Sequence, residues 1–137
     1  MTTRTDVRGA ISAGYREAVL VADIHHVSLN VADTSRALGF YRDLLGMAEL
    51  DRPAFPFPGA WLDAGNGRQV HLIEASVPTD LGQHVAFRVA NLDAVVDAVR
   101  SASFEVHGPS PVGDSGIRQA FVIDTEGNRV EFTEPPA

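Results

Sequence analysis

The sequence of 137 residues contains no cysteine. That absence rules out a disulfide framework and leaves imidazoles and carboxylates as the only groups able to hold a metal ion. It also lacks any run of Lys or Arg, and its net charge is -7, which excludes nucleic acid and anionic membrane as expected partners. No apolar stretch, even in the leading segment 1–22, is long enough for a signal-peptide core or a membrane span, so the expected compartment is the cytoplasm. What is present is ordinary for a globular chain: 45% hydrophobic and 21% charged residues, in a length that suits one compact domain or two small modules sharing a core. A small-molecule substrate is the partner that these exclusions leave, with another protein as the alternative.

The chain repeats itself. Gln69-Val70-His71-Leu72-Ile73-Glu74 has a near copy in Arg129-Val130-Glu131-Phe132-Thr133-Glu134, and each is fed by a Gly-containing turn, 65–67 and 126–128. Upstream, Ile24-His25-His26-Val27-Ser28-Leu29-Asn30-Val31 matches Gln83-His84-Val85-Ala86-Phe87-Arg88-Val89. The spacings agree: 26 to 84 and 31 to 89 are both 58 positions, and 71 to 131 is 60. The reading is an N-terminal extension (1–22), a first module (23–75), a linker (76–82) and a second module (83–137).

Each module reads as βαβββ. Residues 24–31 alternate apolar and polar, the period of a half-buried strand. Asp33 then serves as an N-cap, and Ala37, Leu38, Tyr41, Leu44 and Leu45 recur at helical spacing until Gly46. Strands over 47–52, 59–63 and 68–75 follow, with a proline-rich loop at 53–58. The second module offers a strand at 83–89, Asn91 as N-cap, a helix carrying Leu92, Val95, Val96 and Val99, strands at 104–107, 118–124 and 129–134, and a flexible loop at 108–116. In the extension, 11–21 has the composition of a short accessory helix. The fold class expected is α+β: two modules making a cup-shaped mixed sheet with helices on its outer face.

Strand parity sorts the side chains. If Val27, Leu29, Val31, Val70, Leu72, Val85, Phe87, Val89, Val130 and Phe132 face the helices, their alternates face the opposite side, and those include His26, His71, His84 and Glu131. A pseudo-twofold pairing of modules brings the four together, and three imidazoles with a carboxylate suit one divalent ion such as Zn, Ni, Fe or Mn. Ser28 and Asn30 share the side of His26; with Arg88, Trp61 and Phe121 they are candidate substrate-pocket residues. Trp61 and Phe121 stand 60 positions apart, one per module, and belong either to the core or to the pocket wall. His25 and His107 read as structural or solvated, and Glu74 and Glu134 as surface charges at strand ends.

The segment 24–135 resembles the vicinal oxygen chelate superfamily, which includes glyoxalase I, extradiol dioxygenases and bleomycin-resistance proteins. The likeness rests on His26-Val27-x-Leu29-x-Val31-x-Asp33, Phe40-Tyr41-x-x-Leu44-Leu45-Gly46, Val70-His71-Leu72, His84-Val85-x-Phe87 and Asp124-x-x-Gly127-Asn128-x-x-Glu131. By that resemblance His26, His84 and Glu131 fall on the metal triad of the metalloenzymes, and His71 on a fourth position that glyoxalase I fills with Glu or Gln. The resemblance implies a homodimer and a metal-dependent lyase or isomerase acting through an enolate-like intermediate, with Glu131 moving the proton. An Fe(II) dioxygenase and a binding protein without chemistry are the alternatives; the intact ligand set argues against the second, and His71 on the fourth position against the first.

Overall fold

The computed structural model describes residues 20, 23–79 and 82–137. The helix expected over 11–21 falls, but for Leu20, outside them. Two βαβββ units follow one another. The first comprises β1 (His26–Val31), α1 (Thr34–Leu38), β2 (Ala48–Leu50), β3 (Gly59–Gly65) and β4 (Arg68–Glu74). The second comprises β5 (Val85–Arg88), α2 (Leu92–Ser101), β6 (Val106–Pro111), β7 (Arg118–Ile123) and β8 (Arg129–Glu134). Each unit makes a four-stranded mixed sheet, ordered β1-β4-β3-β2 and β5-β8-β7-β6, in which only the first and last strands run parallel. The α+β class holds, in two sheets related by the sequence repeat. No helix among the described residues is long and apolar enough to cross a membrane.

The apolar parity of the strands is what joins these sheets. Val31, Leu62, Val70 and Leu72 from the first unit and Leu92, Val96, Val122, Val130 and Phe132 from the second are buried in a single cluster. Phe40 meets Phe104 edge-on across the units, with centroids 5.1 Å apart. Burying Phe40 and its neighbour Tyr41 together requires a departure from the expected helix. Adjacent residues of an α-helix point about 100° apart; here α1 ends at Leu38 and the chain widens into a π-type turn over Gly39–Leu44, with both rings inside. Gly46 (φ +84) then reverses the chain, as the sequence implies.

Three further expectations need correction. The strand foreseen at 47–52 is confined to Ala48–Leu50. The stretch read as a flexible loop after 107 is partly strand: β6 runs to Pro111 and pairs with β7 across a bulge between His107 and Ser110. Prolines are tolerated because β6 is the sheet's edge, and Gly108 (φ +110) sits where a Cβ would lie 2.8 Å from the Gln119 carbonyl. Glu74 and Glu134 are not solvated charges either. Glu74 accepts a hydrogen bond from the Thr34 N–H (3.0 Å) and Glu134 one from the Leu92 N–H (2.8 Å), so the last strand of each unit caps that unit's helix. Their place on the helix-facing side of a strand end aims each carboxylate at a helix N-terminus.

The turn between β7 and β8 locks the units together. Glu126, 8% exposed, accepts the backbone N–H groups of Ala32 and Asp33 (both 2.9 Å) and both arms of the Arg36 guanidinium (2.6 and 2.9 Å). Next to it the Tyr41 hydroxyl donates to Asp124 Oδ2 at 2.5 Å, while Asp124 Oδ1 accepts the N–H groups of Glu126 and Asn128. Hydrogen bonding and charge from Arg36 hold the Glu126 carboxyl at about 2, below its ordinary 4.5. A carboxylate held low favours the folded state fully above its unfolded value, and that contribution drains away as the pH falls from about 4.5 towards about 2. We therefore expect Glu126→Gln to lower stability at neutral pH by about 2 kcal/mol, through the loss of charge-assisted bonds to a buried group. Urea unfolding measured from pH 7 to pH 2.5 checks this: the acid-side loss seen in the wild type should be shallower in the variant.

Candidate functional site

Parity and register bring the candidate residues together in two pairs. In the first sheet β1 and β4 run parallel with Ser28 opposite His71, so His26 lies diagonally across from His71 on one face. Their rings stack with centroids 3.9 Å apart. Trp61 stands directly opposite His71 on β3 and stacks on its other face at 4.2 Å, with the planes 5° apart. His71 is only 7% exposed. Burial, followed by the charges of His26, His25 and Arg52, holds its pKa below the ordinary 6.5, so at neutral pH it is an uncharged imidazole. Its Nε2 lies 2.8 Å from the Gln69 side-chain oxygen. That oxygen only accepts, which puts the ring proton on Nε2 and leaves Nδ1 with a lone pair.

The second pair sits on the other sheet. His84 immediately precedes β5; its Nδ1 is 3.2 Å from the Gly82 carbonyl and its Nε2 is 2.9 Å from Glu131 Oε1. Carbonyl and carboxylate are both acceptors, so the ring can donate from Nδ1 to the first or from Nε2 to the second according to its tautomer, and the Nε2 edge faces the carboxylate. Phe121 stands opposite Glu131 on β7, the counterpart of Trp61 opposite His71. It meets His84 edge-on at 5.9 Å and carries the Arg129 guanidinium 4.2 Å above its ring. Each unit thus contributes one residue beside or on its first strand, one from its last strand and an aromatic side chain from its third.

Among the described residues no three His, Asp or Glu side chains gather into a metal-holding group. The four candidate ligands remain two and two. Ser28 and Asn30 line a cleft of about 350 Å³ with His84 and Arg129, where the β1 edge approaches β5. Arg88 is exposed and lines a different, larger cavity of about 890 Å³, together with His26 and the apolar Val27, Met47 and Phe87. His107 is solvated as expected, its nearest charge being Glu105 at 3.9 Å. His25 has a structural contact, its Nδ1 lying 2.9 Å from that of His26. Sequence reading missed His25 and Gln69 as neighbours of the site, although Gln69, two residues before His71, shares its side of the strand by the same period of two.

A family model described as the Glyoxalase/Bleomycin resistance protein/Dioxygenase superfamily matches residues 23–132. The chain belongs to this superfamily. A curated relative, a lactoylglutathione lyase from Haemophilus influenzae, is 31% identical over 125 residues, covering 81% of this chain and 91% of its own. A solved structure from Bacillus anthracis assigned to the glyoxalase family is 24% identical, with a TM-score of 0.75 and coverage of 85% of this chain and 98% of that one. A fosfomycin resistance protein from Listeria monocytogenes, solved with Mn(II) and a dihydroxypropylphosphonic acid, has a TM-score of 0.73 at 14% identity, over 85% of this chain and 94% of that one. The last two likenesses are of fold. The structure accounts for the motif at 124–131 in a way the sequence alone does not: Asp124, Gly127 and Asn128 build the turn that fastens the second unit to the first, and Glu131 follows on the strand leaving it.

The stacked environment of His71 is open to direct measurement, because Trp61 is the chain's single tryptophan. In metal-free protein, protonating His71 places a cation against the indole. Since its pKa is lowered, the resulting step in Trp61 emission should have its midpoint below pH 6.5, and it should vanish in His71→Gln. A step that persists in that variant assigns the titration elsewhere.

Proposed function

We propose that the protein is a metal-dependent enzyme of the glyoxalase type, a lyase or isomerase acting on a small oxygenated molecule. The observation that carries this reading is the 2.9 Å approach of His84 Nε2 to Glu131 Oε1, with the far nitrogen of the ring tied to the Gly82 carbonyl. A carbonyl-anchored imidazole facing a carboxylate is how ligands are pre-oriented for a cation. The repeat supplies the matching pair, His26 and the uncharged His71. Three imidazoles and one carboxylate fit a divalent ion of the Zn, Ni, Fe or Mn kind, and either pair alone is one ligand short of the three that catalytic sites use.

The reading therefore includes a homodimer, in which the His26/His71 pair of one copy meets the His84/Glu131 pair of another. When bound, the ion supplies Lewis-acid polarisation of the substrate's oxygens. The chain's own residues do the rest. Glu131, with a side chain only 15% exposed, takes a proton from the substrate carbon and returns it to the neighbouring one, and His84 holds the carboxylate in place. Trp61 and Phe121 wall the site and keep water from the transferred proton. His71 completes a four-ligand set, which favours proton transfer over oxygen chemistry, where more open positions are needed.

Mixing variants tests the shared site. His26→Ala and Glu131→Ala chains should each bind little metal. After dissociation and reassociation together they should recover about one quarter of the wild-type metal, because about half the dimers are mixed and each of these keeps one intact site. No recovery, with each variant retaining its dimer, places the four ligands within one chain. For turnover, Glu131→Gln should lower kcat far more than it raises KM, since a proton-moving carboxylate acts in the transition state. Activity should also persist without oxygen in Zn- or Ni-loaded protein. A requirement for oxygen and Fe(II) with a catechol, unaffected by His71→Ala, would favour the dioxygenase.

A further inference from the structure

The larger cavity, of about 890 Å³, is an apolar groove lined by both units. The first unit supplies Val27 of β1 and, from the chain beyond the π-type turn, Leu45 and Met47; the second supplies Val85 and Phe87 of β5 and Val95 of α2. All six pack against the buried cluster, yet each is only half-buried. Ile24, which also lines the groove, is 65% exposed. Among the described residues the apolar side of these strands is thus left half-covered, and open apolar surface of this kind marks a docking site.

The point where the chain enters the body indicates the occupant. Asp23 and Ile24 line the groove, and this entry is fixed: Arg68 donates to Asp23 Oδ2 at 2.9 Å and the Ile24 N–H to Oδ1 at 2.7 Å. Upstream, Ile11, Tyr15, Ala18 and Val19 recur at i, i+4, i+7 and i+8, the spacing that gives a helix one apolar face. Arg16 falls on the opposite face. In the same period so does Leu20, and it is 98% exposed. Between Val19 and Asp23 lie only residues 20–22, a reach of about 11 Å at full extension. So short a tether keeps the stretch beside the groove at roughly millimolar effective concentration. Charge agrees: residues 1–22 carry three arginines against one aspartate and one glutamate, a net +1, in a chain whose total is -7.

We propose that residues 11–19 dock as a helix in this groove of their own chain, with Ile11, Tyr15, Ala18 and Val19 against the half-buried Val27, Met47, Phe87 and Val95. Away from the groove such a helix has no support, because nine residues with Gly14 among them are too few to hold helical structure in water. Docking is independent of the metal site proposed above, since none of these side chains is a candidate ligand.

The test is hydrogen exchange on the full chain, read by mass spectrometry. In the wild type the amides of 12–19 should exchange at least tenfold more slowly than those of an unstructured peptide of the same sequence. Tyr15→Asp in the segment and Met47→Asp in the groove should each abolish that protection while β3 and β4 keep theirs. Val95→Lys does the same from the second unit's side and keeps the test valid if Met47→Asp disturbs the sheet. Leu20→Asp, on the outward face, should leave the protection intact. Amides of 12–19 that exchange freely in the wild type overturn the proposal, as does protection that survives both groove variants. Which copy's groove is filled is read in a chain without native cysteine: Val19→Cys/Met47→Cys treated with a short bismaleimide should link at the mass of one chain. A linked dimer seats the segment in a second copy's groove and overturns the assignment to its own chain.

Discussion

A single buried carboxylate sets the relation between the two halves of this molecule. Glu126 belongs to the second unit, yet every charge-assisted bond it makes outside its own turn goes to the first: two backbone N–H groups leading into α1 and the guanidinium of Arg36. Desolvating a carboxylate costs several kcal/mol unless its lone pairs are filled. Here they are filled only when the β7–β8 turn is seated against residues 32–36. The apolar cluster alone would tolerate some sliding of one sheet over the other; the directional bonds of Glu126, with the Tyr41 to Asp124 bond beside them, select one arrangement.

That constraint explains why the candidate ligands remain two pairs within a chain. With the β7–β8 turn fixed against the start of α1, each pair stays on its own sheet, and among the described residues the first strand of each sheet is an edge strand. In the proposed dimer a second copy of the chain would complete these half-assembled ligand sets, and the rigidity that keeps the pairs apart would keep each ready.

Much of this was legible in the sequence because two simple periods carry it. Alternation in 26–31 and 68–74 placed His26 and His71 on one face, and the 60-position repeat carried the argument to Trp61 and Phe121, which stand opposite His71 and Glu131 in register. What stayed hidden depended on contacts between units. Glu126 looks like any turn residue until Arg36, 90 positions away, is folded against it. Glu74 and Glu134 share the apolar parity of their strands, which marks them as misplaced charges; that each faces a helix N-terminus follows only from packing. The π-type turn left no periodic trace, since it is the demand to bury Phe40 and Tyr41 together that creates it.

The two halves have kept one scaffold and diverged in chemistry. In each, a glutamate three residues beyond the site residue on the last strand ties that strand to its helix, Glu74 after His71 and Glu134 after Glu131. The site side chains therefore sit three residues from an anchored point, on the opposite face of the same strand, and their positions are determined by the fold instead of by a loop. Upon that common frame the first unit carries a stack of rings, half-buried Trp61 on buried His71 on exposed His26, with an uncharged imidazole at its centre. The second carries a carboxylate against an imidazole, with a cation over its aromatic partner. Under the proposed function, the half with an uncharged His71 at its centre would serve to hold the ion and the half with the carboxylate to move a proton. Duplication followed by that division of labour would account for the proposed four-ligand set, drawn from paired positions in which one member, Glu131, is a carboxylate.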